Sequence, residues 1–116
     1  MVYDEALAAR VRSALANRQD VEEKKMFGGI TFMVAGQMCC GVLKNDLIVK
    51  VDAGDSPKLL EQADVRPFDF SGKPMLGMLY VSPGALREDA ALRQWVSRGV
   101  DYVEAHPKAE KAKRRR

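Results

Sequence analysis

The sequence predicts one α+β domain built on an antiparallel β-sheet of about five or six strands. Alternating apolar and polar residues near residues 24–52 are broken by short turns containing Gly or Asn, which is the pattern of a β-meander. Apolar residues also recur at helical spacing near both ends of the chain. A length of 116 residues suits a single domain with its own core.

The chain is predicted to begin with an amphipathic helix, because apolar residues recur at every fourth position. This stripe consists of Tyr3, Leu7, Val11 and Leu15. A short helix is predicted in the middle of the chain, with Ser56 as its N-cap and Pro57 at its first position.

Two two-residue turns, Ala35-Gly36 and Asn45-Asp46, set the register of the meander. The predicted cross-strand pairs are Met33–Met38, Thr31–Cys40, Val42–Val49 and Cys40–Val51. One apolar face, predicted to be the core, carries Met33, Met38, Cys40, Val42, Leu47, Val49 and Val51. The other, mixed face carries Ile30, Phe32, Val34, Gln37, Cys39, Gly41, Leu43, Ile48 and Lys50. We expect a helix, a loop or a partner subunit to cover part of this second face.

Two further strands and a long helix are predicted to complete the domain. Phe68 and Phe70 belong to the first strand and residues 78–81 to the second. Prolines at the strand limits suggest edge positions; they are Pro67, Pro74 and Pro83. The C-terminal helix is predicted to span about residues 86–104, and Arg98 belongs to its solvent-exposed face. Its apolar stripe consists of Leu92, Trp95, Val96, Val100 and Val103.

Composition narrows the class of protein. Hydrophobic residues make up 47% of the chain and charged residues 30%, as in ordinary globular domains. No apolar run approaches the roughly 18 residues of a membrane-spanning helix, and the first residues are too polar for a secretory signal. We therefore expect a cytoplasmic protein without a membrane partner.

The net charge of +3 is a property of the C-terminus. Residues 107–116 hold six basic residues and one acidic residue, which leaves residues 1–106 with a net charge of −2. Such a tail buries too little apolar surface to offset its chain entropy. The predicted organisation is a folded domain over residues 1–106 and a disordered basic tail over residues 107–116.

The glycine and cysteine pairs are the first candidates for chemistry. A phosphate-binding loop needs spaced glycines before a helix N-terminus, whereas a strand follows Gly28-Gly29, so we interpret the pair as a tight bend. Adjacent cysteines do not suit a disulfide framework. Cys39 and Cys40 are interpreted as buried structural thiols, although Lys50 is predicted to lie diagonal to Cys39 on the same face of the sheet, where it could activate a nucleophile.

The remaining polar candidates also favour structural roles. Asp52, Asp55 and Ser56 are interpreted as helix-capping residues rather than a calcium loop, because Ala63 stands where the loop needs a glutamate. His106, the only histidine, is interpreted as exposed and inert. We predict no catalytic residues, no metal site and no cofactor.

Basic side chains are the candidate nucleic-acid contacts, because they bind phosphates through counterion release without reading bases. In the tail these residues are Lys108, Lys111, Lys113, Arg114, Arg115 and Arg116. The alternative is a tail that only adds solubility. A second candidate patch on the domain consists of Lys24, Lys25, Lys44 and Lys50.

The stretch KKMFGGITFMVAGQMCCGV, followed by NDLIVKVD, RPFDF and MLYVSPGALREDAALRQWV, resembles the N-terminal domain of the TfoX/Sxy competence regulators over roughly residues 3–105. The matching positions, interpreted as fold determinants, are Met26, Phe27, Gly28, Gly29, Gly36, Lys50 and Trp95. The resemblance implies a compact α+β domain without catalytic residues. Named members act with the cyclic-AMP receptor protein as co-regulators of DNA-uptake genes and carry a separate C-terminal domain. The present chain is expected to be a standalone form.

Three functions remain open on the sequence. The first is a non-catalytic regulatory or adaptor domain that binds a protein partner or a second copy of itself. The second is a nucleic-acid-associated protein that acts through the basic tail. The third is a small ligand-binding domain, which needs a pocket between the sheet and the C-terminal helix with converging polar groups. The sequence shows no such cluster, so a small-molecule partner is not expected.

Overall fold

The computed structural model describes residues 3–26, 28–69 and 75–106. Over these residues it confirms the predicted α+β class, with helices and an open antiparallel sheet. The helices are α1 (Glu5–Ala14), α2 (Ser56–Leu59) and α3 (Asp89–Ala105). The strands are β1 (Val21–Met26), β2 (Gly29–Val34), β3 (Gln37–Leu43), β4 (Asp46–Lys50), β5 (Val65–Phe68) and β6 (Met75–Val81). No helix among these residues combines the length and apolar character needed to cross a bilayer.

The strand order is β1-β2-β3-β4-β6-β5, and every neighbouring pair is antiparallel. The first four strands form the predicted meander, although β1 begins three residues earlier than residue 24. Its residues 22–25 are all charged and exposed, so this strand lacks the alternation of apolar and polar residues that predicts a strand. Charge on β1 and Pro67 in β5 blunt the two edges of the sheet against pairing with another chain.

Helices α1 and α3 pack on the same face of the sheet. Asp4 caps α1, because its Oδ1 accepts hydrogen bonds from the backbone N–H of Ala6 and of Leu7 at 2.9 and 3.1 Å. The predicted α1 stripe is buried at Leu7, and in α3 Trp95 is only 5% exposed. A 3₁₀ turn, Pro83–Leu86, precedes α3, so this helix begins three residues later than predicted.

The N-cap prediction for the middle helix is wrong. Asp55 occupies the position before α2, and Ser56 is the first helical residue. A 3₁₀ turn, Ala53–Asp55, leads directly into α2, so the backbone is already helical at Asp55. Ser56 therefore has no extended backbone from which to cap the helix.

Phe70 and Pro74, which the sequence analysis placed in or beside strands, lie outside the described residues.

The first hairpin confirms the turn but corrects the register. Ala35 and Gly36 form the predicted two-residue turn, with φ of 53° and 82°, and Met33 pairs with Met38 as expected. Beyond that pair the register shifts. Phe32 pairs with Cys40, which leaves Cys39 as the extra residue of a β-bulge. Thr31 therefore pairs with Gly41 and not with Cys40.

The bulge reverses the predicted faces of β2, because one extra residue changes which side chains point to the core. The helix-facing core contains Ile30, Phe32, Val34, Cys39, Cys40, Val42, Leu47, Val49 and Val51. Met33 and Met38, predicted to be core residues, are only half buried, and Met38 packs on the second face. The apolar cluster on that face consists of Leu43, Ile48, Phe68, Met78 and Tyr80. No residue of the described helices belongs to it.

The second hairpin turns one residue earlier than predicted, at Lys44-Asn45. Val42 consequently pairs with Leu47, and Cys40 with Val49. The shift of two residues keeps the predicted faces of β4, since side chains alternate with a period of two. Lys44 has a φ of 55°, and its carbonyl accepts the N–H of Asp4 at 2.7 Å, which ties the turn to the start of α1.

Candidate functional site

The glycine pair serves the packing of the sheet. Gly28 has a φ of 78°, a value that favours glycine, and a Cβ added to it would meet no atom within 4 Å. A Cβ on Gly29 would overlap the carbonyl oxygen of Val42 on β3. This close approach supports the interpretation of a bend over that of a phosphate-binding loop. Of the neighbouring family positions, Met26 pairs with Gly29 through its backbone, and Phe27 lies outside the described residues.

The other family positions lie in a turn, in the core and at the end of a strand. Gly36 has a φ of 82° in the β2–β3 turn, and Trp95 belongs to the main core. Lys50 ends β4, and its Nζ lies 5.0 Å from the ring centroid of Tyr102 on α3, within range of a cation–π interaction.

The two thiols are buried side by side. Cys39 and Cys40 are each 0% exposed. A hydrogen bond with Cys39, followed by burial, raises the pKa of the Cys40 thiol well above its ordinary value. Reactive cysteines have a depressed pKa and partial exposure. The arrangement is therefore that of structural thiols.

A pocket of about 290 Å³ lies between the C-terminal half of α3 and the segment that joins β4 to α2. Its apolar wall includes Val51 and Leu59, both under 9% exposed. Three exposed aspartates line it, namely Asp52, Asp55 and Asp101. The half-buried polar and aromatic side chains are Arg98, Tyr102 and His106.

This pocket is the feature that the sequence reasoning missed. Arg98, Tyr102 and His106 are spaced four residues apart, so they form one stripe along α3 and its C-cap, beside the apolar stripe of the helix. That spacing was the available signal. The other wall is brought in by the fold from residues far away in the sequence. Although three aspartates line the pocket, no group of ligating side chains among the described residues converges closely enough to hold a metal ion.

The prediction that His106 is exposed and inert is wrong about its exposure. The ring is half buried and stacks on Tyr102, with centroids 4.3 Å apart. Its Nδ1 lies 2.9 Å from the carbonyl oxygen of Tyr102. Because a carbonyl only accepts, Nδ1 is the donor in this contact, and in the neutral ring Nε2 is the acceptor. The carbonyl of His106 also accepts a 2.6 Å hydrogen bond from Gln37.

Arg98 brings an unpaired buried polar atom to the pocket. Its guanidinium carbon lies 4.9 Å from the ring centroid of Trp95, and its Nε is buried without a hydrogen-bond partner among the described residues. A second pocket of about 380 Å³ shares Arg98 with the first and adds Lys58 and Gln62. Arg98 therefore stands at the junction of two adjoining pockets.

The lysines predicted as a surface patch do not come together. Lys24 and Lys25 are consecutive on β1, so their side chains point to opposite sides of the sheet. Lys44 precedes β4 and Lys50 ends it, which separates them by the length of that strand. The six basic tail residues, from Lys108 to Arg116, lie outside the described residues.

Over the residues that the structure describes, the chain is a small α+β domain whose six-stranded antiparallel sheet carries α1 and α3 on one face. The family model described as the TfoX N-terminal domain matches residues 13–103. The chain belongs to this family, which confirms the resemblance noted in the sequence. Searches of curated proteins and of solved structures found no match.

Proposed function

We propose that this chain is a non-catalytic regulatory domain that acts through protein contacts, as a co-regulator of transcription. The observation that carries the proposal is the family match over residues 13–103, which suggests a competence-related regulatory domain. A partner protein, such as a component of the transcription machinery, or a second copy of the chain supplies the contact.

The roles of the reactive side chains support a domain without catalysis. The Cys40 thiol is buried and its pKa is raised, which disfavours the nucleophilic thiolate. Asp52 accepts a hydrogen bond from the N–H of Gly54 within its own turn. Covalent catalysis needs a nucleophile that an adjacent base activates, and a buried thiol with a raised pKa does not meet that need.

The sheet edges restrict how a protein partner binds. Addition of a strand requires an open, flat edge, whereas β1 is charged along residues 22–25 and β5 contains Pro67. The proposed contact is therefore made by side chains on the surface of the domain.

The decisive experiment measures association of the purified full chain with RNA polymerase and with the cyclic-AMP receptor protein of the source organism. Biolayer interferometry reports both, and sedimentation velocity reports self-association. Saturable binding to either protein, or a dimer, supports the proposal. A strictly monomeric chain that binds neither protein would contradict it. The fold-disrupting variant Gly29→Ala, expected to lose binding, shows whether the folded domain carries the contact.

A nucleic-acid function through the tail is a second candidate, favoured by the six basic residues within residues 107–116. Binding by counterion release is steeply dependent on salt. Duplex DNA is titrated at low and physiological salt against the full chain and against residues 1–106. Loss of binding in the shorter chain supports a tail function. Retained binding places the contact on the domain, and absence of binding in both chains excludes this candidate.

A further inference from the structure

We propose that the pocket between α2 and α3 binds a small zwitterion of the amino-acid type, with the carboxylate on Arg98 and the ammonium group among the aspartates. This inference is independent of the regulatory function proposed above. It concerns a ligand site on the domain itself and needs no protein partner.

The carboxylate end is argued from Arg98. Its Nε is buried and has no hydrogen-bond partner among the described residues, although such buried donors are nearly always paired. The guanidinium is already held against the Trp95 ring, with 4.9 Å between guanidinium carbon and ring centroid. A carboxylate matches the planar fork of an arginine; Nε itself is covered in the structure, so the side chain must shift towards the pocket for the ligand to pair this donor as well.

The ammonium end is argued from the rim of the same pocket. Asp52, Asp55 and Asp101 line it and are exposed, while none of them forms an ion pair with Arg98 in the structure. A ligand with only a negative charge would be repelled by the three carboxylates, and a ligand with only a positive charge would be repelled by the guanidinium. A molecule that carries both charges meets an opposite charge at each end.

The size and walls of the pocket suit a small molecule. Its volume of about 290 Å³ lies at the lower end of the range for ligand pockets. Val51 and Leu59 give it an apolar side. The stack of His106 on Tyr102 and the Nζ of Lys50 near the same ring hold one wall in place. The second pocket, with Lys58 and Gln62, leaves space beside Arg98 for a side chain of the ligand.

The test uses the full chain and the emission of Trp95, its only tryptophan, because a ligand on Arg98 changes the surroundings of the indole. The common L-amino acids are titrated one by one, and calorimetry confirms each saturable response. The best binder is then compared with its N-acetyl form, which lacks the ammonium charge, and with its amide, which lacks the carboxylate. We expect each modification to weaken binding about tenfold or more.

Variants assign the response to Arg98. Arg98→Gln is expected to abolish binding, whereas Arg93→Gln, at an exposed arginine of the same helix outside both pockets, is expected to leave it unchanged. Arg98→Lys keeps the charge but lacks the Nε donor, and should weaken binding about tenfold or more. If circular dichroism shows that Arg98→Gln does not fold, Arg98→Lys is the variant that tests whether Arg98 binds the ligand.

Three results would overturn the proposal. The first is the absence of a saturable response to any amino acid. The second is equal binding of the N-acetyl form or of the amide, since one charged end would then be irrelevant. The third is full binding by Arg98→Lys, or an equal response to acetate or inorganic phosphate, which would indicate a general anion site.

Discussion

Gly99 on α3 lies directly against Cys39, the bulged residue of β3. A Cβ at position 99 would stand 2.5 Å from the carbonyl oxygen of Cys39 and 2.9 Å from its Sγ. The bulge and the glycine therefore fit together: the helix approaches the sheet closely where the strand carries an extra residue.

We expect Gly99→Ala to destabilise the domain by about 2 kcal/mol or more, because overpacking outweighs the helix propensity of alanine, which favours the variant by about 1 kcal/mol. Urea denaturation followed by circular dichroism measures the change. Ser97→Ala, at an exposed position of the same helix, is the matched control and should be neutral or slightly stabilising. A stabilised Gly99→Ala variant would show that α3 does not lie this close to β3.

The neighbouring glycines of the β1–β2 turn should differ in their response to alanine. Gly28→Ala places a side chain at a positive φ in open space, and is expected to cost about 1 kcal/mol. Gly29→Ala forces a methyl group into the backbone of β3, and should cost 3 kcal/mol or more, on the order of the largest core substitutions. Thermal unfolding of both variants measures which substitution destabilises the domain more. Equal losses would contradict the packing described for Gly29.

The thiols should be protected in the native state. Since Cys39 and Cys40 are fully buried, iodoacetamide is expected to modify them only as the chain unfolds. The rate of modification should therefore rise with urea in parallel with the unfolded fraction. Mass spectrometry counts the labelled thiols at each urea concentration. Rapid labelling of the native protein would show that the β3 bulge is open to solvent.

The ion pair between Arg12 and Glu23 gives a pH prediction. Their charged groups are 2.6 Å apart, and the hydrogen bond from Arg12 lowers the pKa of Glu23. A carboxylate with a lowered pKa in the folded state stabilises the fold above its unfolded pKa, about 4.3, and this stabilisation is lost as the pH falls through the folded value. Both side chains are partly exposed, so the contribution is only about 0.5 kcal/mol.

Glu23→Gln should therefore lower the free energy of unfolding at neutral pH, and the difference from the parent chain should shrink below about pH 4.3. Glu22→Gln, at the next residue on the opposite side of β1, is the control. Denaturation curves at a series of pH values test both. A difference for Glu23→Gln that persists in acid would mean that lost packing, rather than charge, is responsible.

Arg98 should contribute little to stability, as expected of a residue retained for a ligand. Arg98→Met removes an unpaired buried donor and a cation–π contact, whose effects oppose each other, so the free energy of unfolding should stay within about 1 kcal/mol. Arg93→Met is the control on the same helix. Urea denaturation measures both variants. A loss of about 3 kcal/mol or more for Arg98→Met would show that the guanidinium is an integral part of the fold.

Local patterns were sufficient for most of the architecture. The four-residue spacing of Leu7 and Val11, and the stripe that contains Trp95, predicted the helices because one buried face imposes a helical period. The Ala35-Gly36 turn predicted the first hairpin, because tight turns favour residues that accept a positive φ. The glycine motif predicted the bend before β2. Each of these signals lies within a few neighbouring residues.

The face of β2 and the pocket depended on contacts between distant parts of the chain. The bulge at Cys39 lies where Gly99 lets α3 approach the sheet closely, and these two residues are 60 positions apart. The stripe of Arg98, Tyr102 and His106 was visible in the sequence, but its opposite wall comes from residues 51–59. The sequence by itself therefore determined most of the elements, the first hairpin turn and the family. Only the tertiary structure decided the register beyond the bulge and the convergence of charges in the pocket, because both depend on packing between segments far apart in the chain.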